Sequence, residues 1–283
     1  MKNLLTVIIV SYHSENIIEK AIRSINNKRY KILIIDNANS IALKKKLEKK
    51  YKNLKVLNSK KNLGFGRSIN FAINNITTKF AFYLSADAYI KKESLKYLLN
   101  YGINNDDWII LAPKIVNAKQ SKINIIEEKY KKNISSINFI QGCGFFFETK
   151  IIKKIGGFDK NIFLYYEDND FFLRCLKTEK KILIIKKAKI FHKGNSSVDK
   201  KFNYEIELNR NWHLMWSKFY FYKKHYSISV GYKKTLRSFF SSFIKILYYL
   251  LINKKKYLIY LNRFNGLLNS YLNNKSWRRP NIN

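Results

Sequence analysis

Only two cysteines, Cys143 and Cys175, and two prolines occur in the 283 residues. Two cysteines with no Cys-x-x-Cys and no Cys/His zinc spacing exclude a disulfide-stapled secreted scaffold and a zinc module, and make a reducing compartment the expected setting. Acid is scarce as well: 19 Asp and Glu stand against 55 Lys and Arg, a net charge of +36. No uninterrupted apolar run is long enough to cross a bilayer. The longest candidate, residues 236–252, is broken by Arg237 and Lys245 and falls short of the roughly 20 residues a span needs. The apolar stretch 4–10 has no room for a signal core plus cleavage site and reads as a buried first strand.

What is present is a folding composition, 46% hydrophobic and 16% aromatic, in a length that fits one large α/β domain with an appendage. The positive charge suits nucleic acid, an anionic membrane or phosphorylated substrates. The chain is also rich in Lys, Asn and Ile, as an AT-rich coding sequence would dictate, so charge alone identifies no partner.

Residues 7–10, 32–35 and 80–84 are short β-rich apolar runs that end abruptly in polar residues, with helical patterns at 16–26, 41–51 and 65–75 between them. This alternation predicts an open, mainly parallel α/β sheet. Ligands bind beyond the carboxyl ends of such strands, so Ser11-Tyr12, Asp36-Asn37 and Ser85-Ala86-Asp87 are expected at one crevice. Residues 117–136 read as a polar loop, 139–148 as a strand with glycines inside it, 150–155 and 167–177 as helices. From residue 208 onward the chain changes in kind: fifteen Lys or Arg, no Asp or Glu, and dense aromatics. The division drawn from this is 1–207, catalytic, and 208–283, a basic helical segment whose 236–252 stretch lies in a membrane interface or packs on the catalytic domain.

Four carboxylates concentrate between Asp159 and Asp170 of an otherwise basic chain, in Gly156-Gly157-Phe158-Asp159 and Tyr165-Tyr166-Glu167-Asp168-Asn169-Asp170, with Arg174 and His192 after them. Taken alone, each motif has a plain structural reading beside the chemical one. Asp36 suits a turn as well as a ribose or base contact; Asp87 suits a helix cap; Glu167, Asp168 and Asp170 suit a helix N-terminus. The run Asn62-Leu63-Gly64-Phe65-Gly66-Arg67-Ser68-Ile69-Asn70 places two glycines and a cation at a helix start, where backbone N–H groups meet phosphate.

In this order, over residues 5–197, the motifs resemble glycosyltransferase family 2, the inverting, nucleotide-sugar-dependent enzymes of GT-A fold. The resemblance implies that Ser11, Tyr12, Asp36, Arg67, Ser85, Ala86 and Asp87 bind the nucleotide sugar. It implies that Asp87 and His192 hold a divalent cation, Mn²⁺ or Mg²⁺, and that Asp168 is the general base. Glu167 supports the base, Asp170 and Arg174 form a local ion pair, and Lys193 adds charge. Family members carry Asp-x-Asp or Asn-Pro-Asp where this chain has Ser85-Ala86-Asp87. Asp-Asn-(Ala/Asn)-Ser and Tyr-Tyr-Glu-Asp are similar to rhamnosyltransferases of surface polysaccharide assembly, which makes dTDP-rhamnose a candidate donor. The expected partners are a nucleoside-diphosphate sugar, a glycan or polyprenyl-diphosphate-linked acceptor and an anionic membrane surface, with the protein on the cytoplasmic face of the cell membrane. Two alternatives stay open: a nucleotide-sugar-binding protein with weakened catalysis, and a basic nucleic-acid-binding protein.

Overall fold

The computed structural model describes residues 4–25, 29–116, 127–140, 142–192 and 202–280. They fall into two compact units, Met1–Phe158 with Phe171–Asp199, and Asp159–Asp170 with Lys200–Asn283.

The first unit is the expected α/β sheet. Strands β1 (Leu5–Ser11), β2 (Lys31–Asp36), β3 (Leu54–Asn58) and β4 (Phe80–Leu84) lie parallel in the order β3-β2-β1-β4. They are joined by helices α1 (Ile18–Ile25), α2 (Ile41–Lys50) and α3 (Phe65–Asn74). Next come β5 (Ala88–Ile90), α4 (Ser94–Asn104), β6 (Trp108–Val116), β7 (Glu127–Lys131), β8 (Ile134–Ile137), β9 (Gly144–Glu148), α5 (Thr149–Lys154), α6 (Glu167–Leu176), of which this unit takes the part from Phe171 onward, and β10 (Lys181–His192). The sheet continues as β4-β9-β6-β10-β8-β7, with β5 pairing β10. Strands β5, β8 and β9 oppose the rest; the others share one direction.

Both faces of the central strands are apolar because both are covered by helices. Val7, Ile9, Ile32 and Ile34 join Ile22, Leu43 and Leu98 of α1, α2 and α4 in one core. The alternate residues Ile8, Leu33 and Ile35 join Ile69 of α3, Ile152 of α5 and Phe171 of α6 in the other. The period of two within each strand thus feeds two cores. In the first of them Phe146 of β9 stacks on Phe80 at 5.2 Å and lies against Trp108 at 5.5 Å.

Strand β10 serves two neighbours. It runs parallel to β6 as far as Ile185 opposite Pro113, then advances to Lys189 opposite Lys114, so that Lys186, Lys187 and Ala188 are extra. Pro113 has no N–H to give the ladder, and a bulge is the usual accommodation. Ser94 of α4 fastens the bulge, its hydroxyl accepting from the Lys189 N–H at 2.9 Å and donating to the Lys189 carbonyl at 3.2 Å. Beyond it, Ile190, Phe191 and His192 pair antiparallel with Ile90, Tyr89 and Ala88.

Three sequence expectations shift. The strand expected at 139–148 begins only at Gly144, where an added Cβ would meet Ile190, the close approach for which a glycine inside the strand is suited. The loop expected at 117–136 contains β7 and β8, an edge hairpin whose alternating polar residues hide its period; residues 117–126 lie outside the described residues. The division at residue 207 also changes, because residues 159–170 group with the C-terminal helices.

The second unit contains α7 (Asn203–His225), α8 (Ile228–Ile252) and α9 (Lys254–Tyr271). Thr235 with Tyr271, Phe239 with Phe264 and Tyr249 with Tyr260 pair across α8 and α9, which is the pattern of an antiparallel hairpin. A single residue, Asn253, joins them: its N–H closes α8 on the Tyr249 carbonyl and its side chain caps α9 at the Lys256 N–H. At Gly266 an added Cβ would strike the Trp212 carbonyl, so only glycine lets α9 lie so close to α7. Helix α8 is 25 residues long, against the 17 read from hydropathy alone, because Ser227 caps it upstream of the lysines that end the apolar pattern.

Phe146→Ala is expected to lower the stability of the first unit by about 3–5 kcal/mol, the usual cost of emptying a buried aromatic site. Urea unfolding followed by circular dichroism measures it, and an unchanged midpoint would contradict the core described here.

Candidate functional site

The ends of β1, β2 and β3 are in register, Ser11 beside Asp36 and Asp36 beside Asn58. Ser11 and Asp36 are fully buried and Tyr12 is half-buried. The Asp36 carboxylate closes its own turn, accepting from the Ala38 N–H at 3.3 Å and the Ser40 N–H at 2.7 Å. Burial pushes this carboxyl above the usual range, and those two bonds only partly oppose it. Its neighbour Asn37, expected at the crevice from the strand-end pattern, organises this end of the sheet. The Asn37 Oδ1 accepts from Ser59 at 3.1 Å and from the Leu63 N–H at 3.0 Å, while its amide donates to Ser68 at 2.9 Å. One side chain thereby ties the end of β2 to the glycine-containing turn. That turn has Gly64 at φ +76, in the region that favours glycine, and delivers half-buried Arg67 into the first turn of α3.

Ser85-Ala86-Asp87 turns between β4 and β5. The Ser85 hydroxyl donates to Asp87 Oδ1 at 2.6 Å, and His192 Nε2 lies 3.2 Å from the same oxygen. Asp87 is only 4% exposed and His192 29%. Burial alone would raise the Asp87 carboxyl, but the bonds from His192 and Ser85 outweigh it and hold the acid below its usual value. It is therefore an anion at neutral pH. The sequence puts these two residues more than a hundred positions apart; the antiparallel pairing of β5 with the end of β10 brings them together. A carboxylate and an imidazole at this separation fit a divalent cation that takes its remaining ligands from phosphate and water. Among the described residues no third His, Cys, Asp or Glu joins them. Lys193 lies outside the described residues.

Asn70 of α3 makes a two-way bond to the backbone of Phe158, donating to its carbonyl and accepting from its N–H, both at 2.8 Å. Arg174 donates to the carbonyls of Ile155 at 2.8 Å and Gly157 at 2.6 Å. Gly157, at φ +61, leaves no room for a Cβ beside Asn70. The Gly-Gly-Phe motif is thus a backbone shape held by two side chains that the sequence places far from it.

In the second unit, residues 159–170 carry the acids. Tyr165 and Tyr166 both have φ 63, a left-handed conformation that costs a bulky residue free energy and recurs where surrounding structure enforces it. The enforcing contacts come from α7. The Tyr166 ring lies 5.2 Å from Phe221, Ser217 donates to the Leu164 carbonyl at 2.9 Å, and Phe163 packs on His213 at 4.7 Å. Lys224 bridges Asp159 and Asp170, Tyr220 donates to Asp159 at 3.0 Å, and His225 meets Asp170 at 2.8 Å. Lys224 and His225 were invisible to motif reading, although acids crowded into twelve residues and absent from 208–283 are a signal of such pairing. Burial pulls His213 down to about 3, so it is a neutral side chain held by the Arg278 carbonyl and Ser276.

Glu167 and Asp168 follow the two tyrosines. Glu167 Oε2 and Asp168 Oδ1 are enclosed and accept no hydrogen bond from protein. Burial pushes both carboxyls up, and the neighbouring Asp168 adds to the rise at Glu167. A carboxylate raised toward neutrality is a stronger base than an ordinary one.

The sequence model for "Glycosyl transferase family 2" matches residues 6–156. An uncharacterized glycosyltransferase of Methanocaldococcus jannaschii is 28% identical over 201 residues, which cover 65% of this chain and 68% of that protein. Among solved structures, residues 1–349 of TarS of S. aureus superpose with a TM-score of 0.56 at 17% identity, covering 97% of this chain and 93% of that one. The mannosyltransferase PcManGT of Pyrobaculum calidifontis, in complex with GDP-Man and Mn²⁺, gives a TM-score of 0.57 at 10% identity, covering 95% and 87%. These likenesses carry the fold.

Glu167→Gln is expected to raise the unfolding temperature at neutral pH. An acid whose folded pKa lies above its unfolded value, about 4.3, leaves stability intact below that value and removes it as pH rises toward the folded one. The gain from the variant therefore shrinks to nothing below about pH 4. Thermal unfolding across pH measures it, and an equal gain at every pH would refute the buried-acid account.

Proposed function

The chain belongs to glycosyltransferase family 2, and from that premise we propose that it moves a sugar, with inversion, from a nucleoside diphosphate to a hydroxyl of a glycan or polyprenyl-diphosphate-linked acceptor in cell-surface polysaccharide synthesis. The observation that carries the proposal is Asp168, a half-buried carboxylate with one enclosed oxygen that accepts no hydrogen bond and a raised affinity for protons. Asp168 takes the proton of the acceptor hydroxyl as that oxygen attacks the anomeric carbon. The bond from that carbon to the diphosphate breaks, and its electron pair leaves with the diphosphate. One base is enough because the leaving group departs as a stabilised anion and needs no proton.

Asp87 and His192 would hold a divalent cation, which when bound neutralises charge on the diphosphate. The Mn²⁺ in the PcManGT complex supports a cation of this kind. Arg67 in the first turn of α3 adds positive charge at a helix start, where phosphate is favoured. Ser11, Tyr12 and Asp36 at the strand ends are assigned to the nucleotide, with Ser85 and Ala86 at the turn that carries Asp87. Because Asp36 is committed to its own turn, its part is to fix the shape of that end as much as to accept from the ligand. Glu167 is assigned a supporting place beside the base, its own proton affinity raised by burial and by Asp168. The donor nucleotide is open: TarS has been solved with UDP-GlcNAc and PcManGT with GDP-Man, while the Asp-Asn-Ala-Asn-Ser and Tyr-Tyr-Glu-Asp runs favour dTDP-rhamnose. An acceptor carried on a polyprenyl diphosphate would put the reaction at the cytoplasmic face of an anionic membrane.

Thermal shifts with UDP, dTDP and GDP, each with and without Mn²⁺ or Mg²⁺, identify the donor base by mass action. Asp87→Ala and His192→Ala are expected to lose the metal-dependent part of the shift. Asp168→Asn is expected to keep the shift and lose about 10²–10⁴-fold in kcat, the usual worth of a general base. In the wild type, kcat falls with acid as Asp168 takes up its proton, and the midpoint lies above the ordinary aspartate value of about 3.9. Wild-type turnover by Asp168→Asn would sink the assignment.

A further inference from the structure

Helix α8 carries an apolar stripe that the protein leaves bare. Phe240, Phe243, Ile244, Leu247 and Leu251 recur at the three- and four-residue spacing of one helix face, and all are exposed, Leu251 to 94%. The opposite face is used up inside the unit. Gly231, Thr235 and Ser242 are buried, and Phe239 stacks on Phe264 of α9 at 4.5 Å. Exposure is greatest at the tip, where Ile252 and Asn253 lead directly into Lys254, Lys255 and Lys256. Arg237 and Lys245 lie along the same helix, and no acid occurs anywhere from residue 208 to 283.

We propose that the tip of the α8–α9 hairpin is a membrane-docking surface: Leu247, Leu251 and Ile252 enter the acyl boundary of a bilayer, and Lys245 with Lys254, Lys255 and Lys256 rests on anionic headgroups. This deepens the proposed function by giving the lipid-facing residues, and it rests on that reading only for its biological purpose. Two observations choose the occupant. The polar groups bordering this apolar face are cations, Lys245, Lys254, Lys255 and Lys256, with no acid from residue 208 to 283. A lipid surface of negative charge matches both the stripe and its collar. The same geometry decides against a span. Helix α8 has the length and a mean hydropathy of 1.3 over its best window. Yet its inner face is occupied by α7 and α9, where half-buried Arg263 lies, so only the outer face and the tip are available to lipid.

Co-sedimentation with vesicles tests this on the full chain. Wild type is expected to pellet with vesicles of phosphatidylcholine and phosphatidylglycerol, weakly with phosphatidylcholine alone, and less as salt is raised. Leu247→Asp with Leu251→Asp is expected to lose about tenfold or more in partitioning, and the triple change of Lys254, Lys255 and Lys256 to Glu to lose binding to anionic vesicles selectively. These side chains are exposed, so unfolding temperatures and the nucleotide-induced shift should match wild type; a failed nucleotide shift in all three proteins would count against the donor site and not against this surface. Wild type remaining in the supernatant with both vesicles overturns the proposal. So does equal pelleting of all three proteins, or a wild-type dimer in light scattering that the leucine variant dissociates, which would make the stripe a contact between copies.

Discussion

Strand β10 has two obligations, and the three residues it inserts opposite Pro113 are what allow it to meet both. On one edge it runs parallel to β6 on both sides of the bulge; on the other its first half pairs with β8 and its last three residues pair with the short strand β5. Past the insertion, the pairing with β5 sets His192 opposite Ala88, next to Asp87. A proline that cannot donate to the ladder, a serine that fastens the kink from α4, and a three-residue partner strand are therefore parts of one device. Its product is a carboxylate kept ionised in a buried turn, which is a costly arrangement unless a cation or donor repays the desolvation.

The second unit spends free energy differently. Two adjacent tyrosines in a left-handed conformation and two enclosed acids raised in proton affinity all oppose folding. The contacts that compensate are aromatic packing and paired charges from α7, which hold both ends of the acidic segment through Lys224. Strain and buried acid at one place, braced by neighbours that carry no such cost, is the distribution expected where reactivity has been favoured over stability.

The sheet was legible in the sequence because each central strand is an apolar run with a polar end, and that pattern arises from burial on both faces. The acidic residues and His192 were legible as a motif, yet their geometry was not. The family resemblance coupled Asp87 with His192, but nothing in Ser85-Ala86-Asp87 announces the antiparallel pairing of β5 with β10 that brings the two side chains together. Asn37 and Asn70 stood inside quoted motifs, but the ties they make were not legible: an asparagine that ties two backbones together looks the same in sequence as one in a solvated turn. Helix α8 was underestimated in length because hydropathy stops at the first lysine pair, whereas a helix stops at its cap. The edge hairpin of β7 and β8 was missed because an exposed edge keeps polar residues that mask the strand period.

The grouping of residues 159–170 with 200–283 has a consequence for recombining this chain with its relatives. A junction placed where composition changes, near residue 207, would pair the tyrosines and acids of one parent with the bracing helix of another, and Lys224, His225, Ser217 and Tyr220 would then face unfamiliar partners. The inheritable module is discontinuous: a short central segment travels with the distant C-terminal helices, and chimeras that respect only linear order would split it.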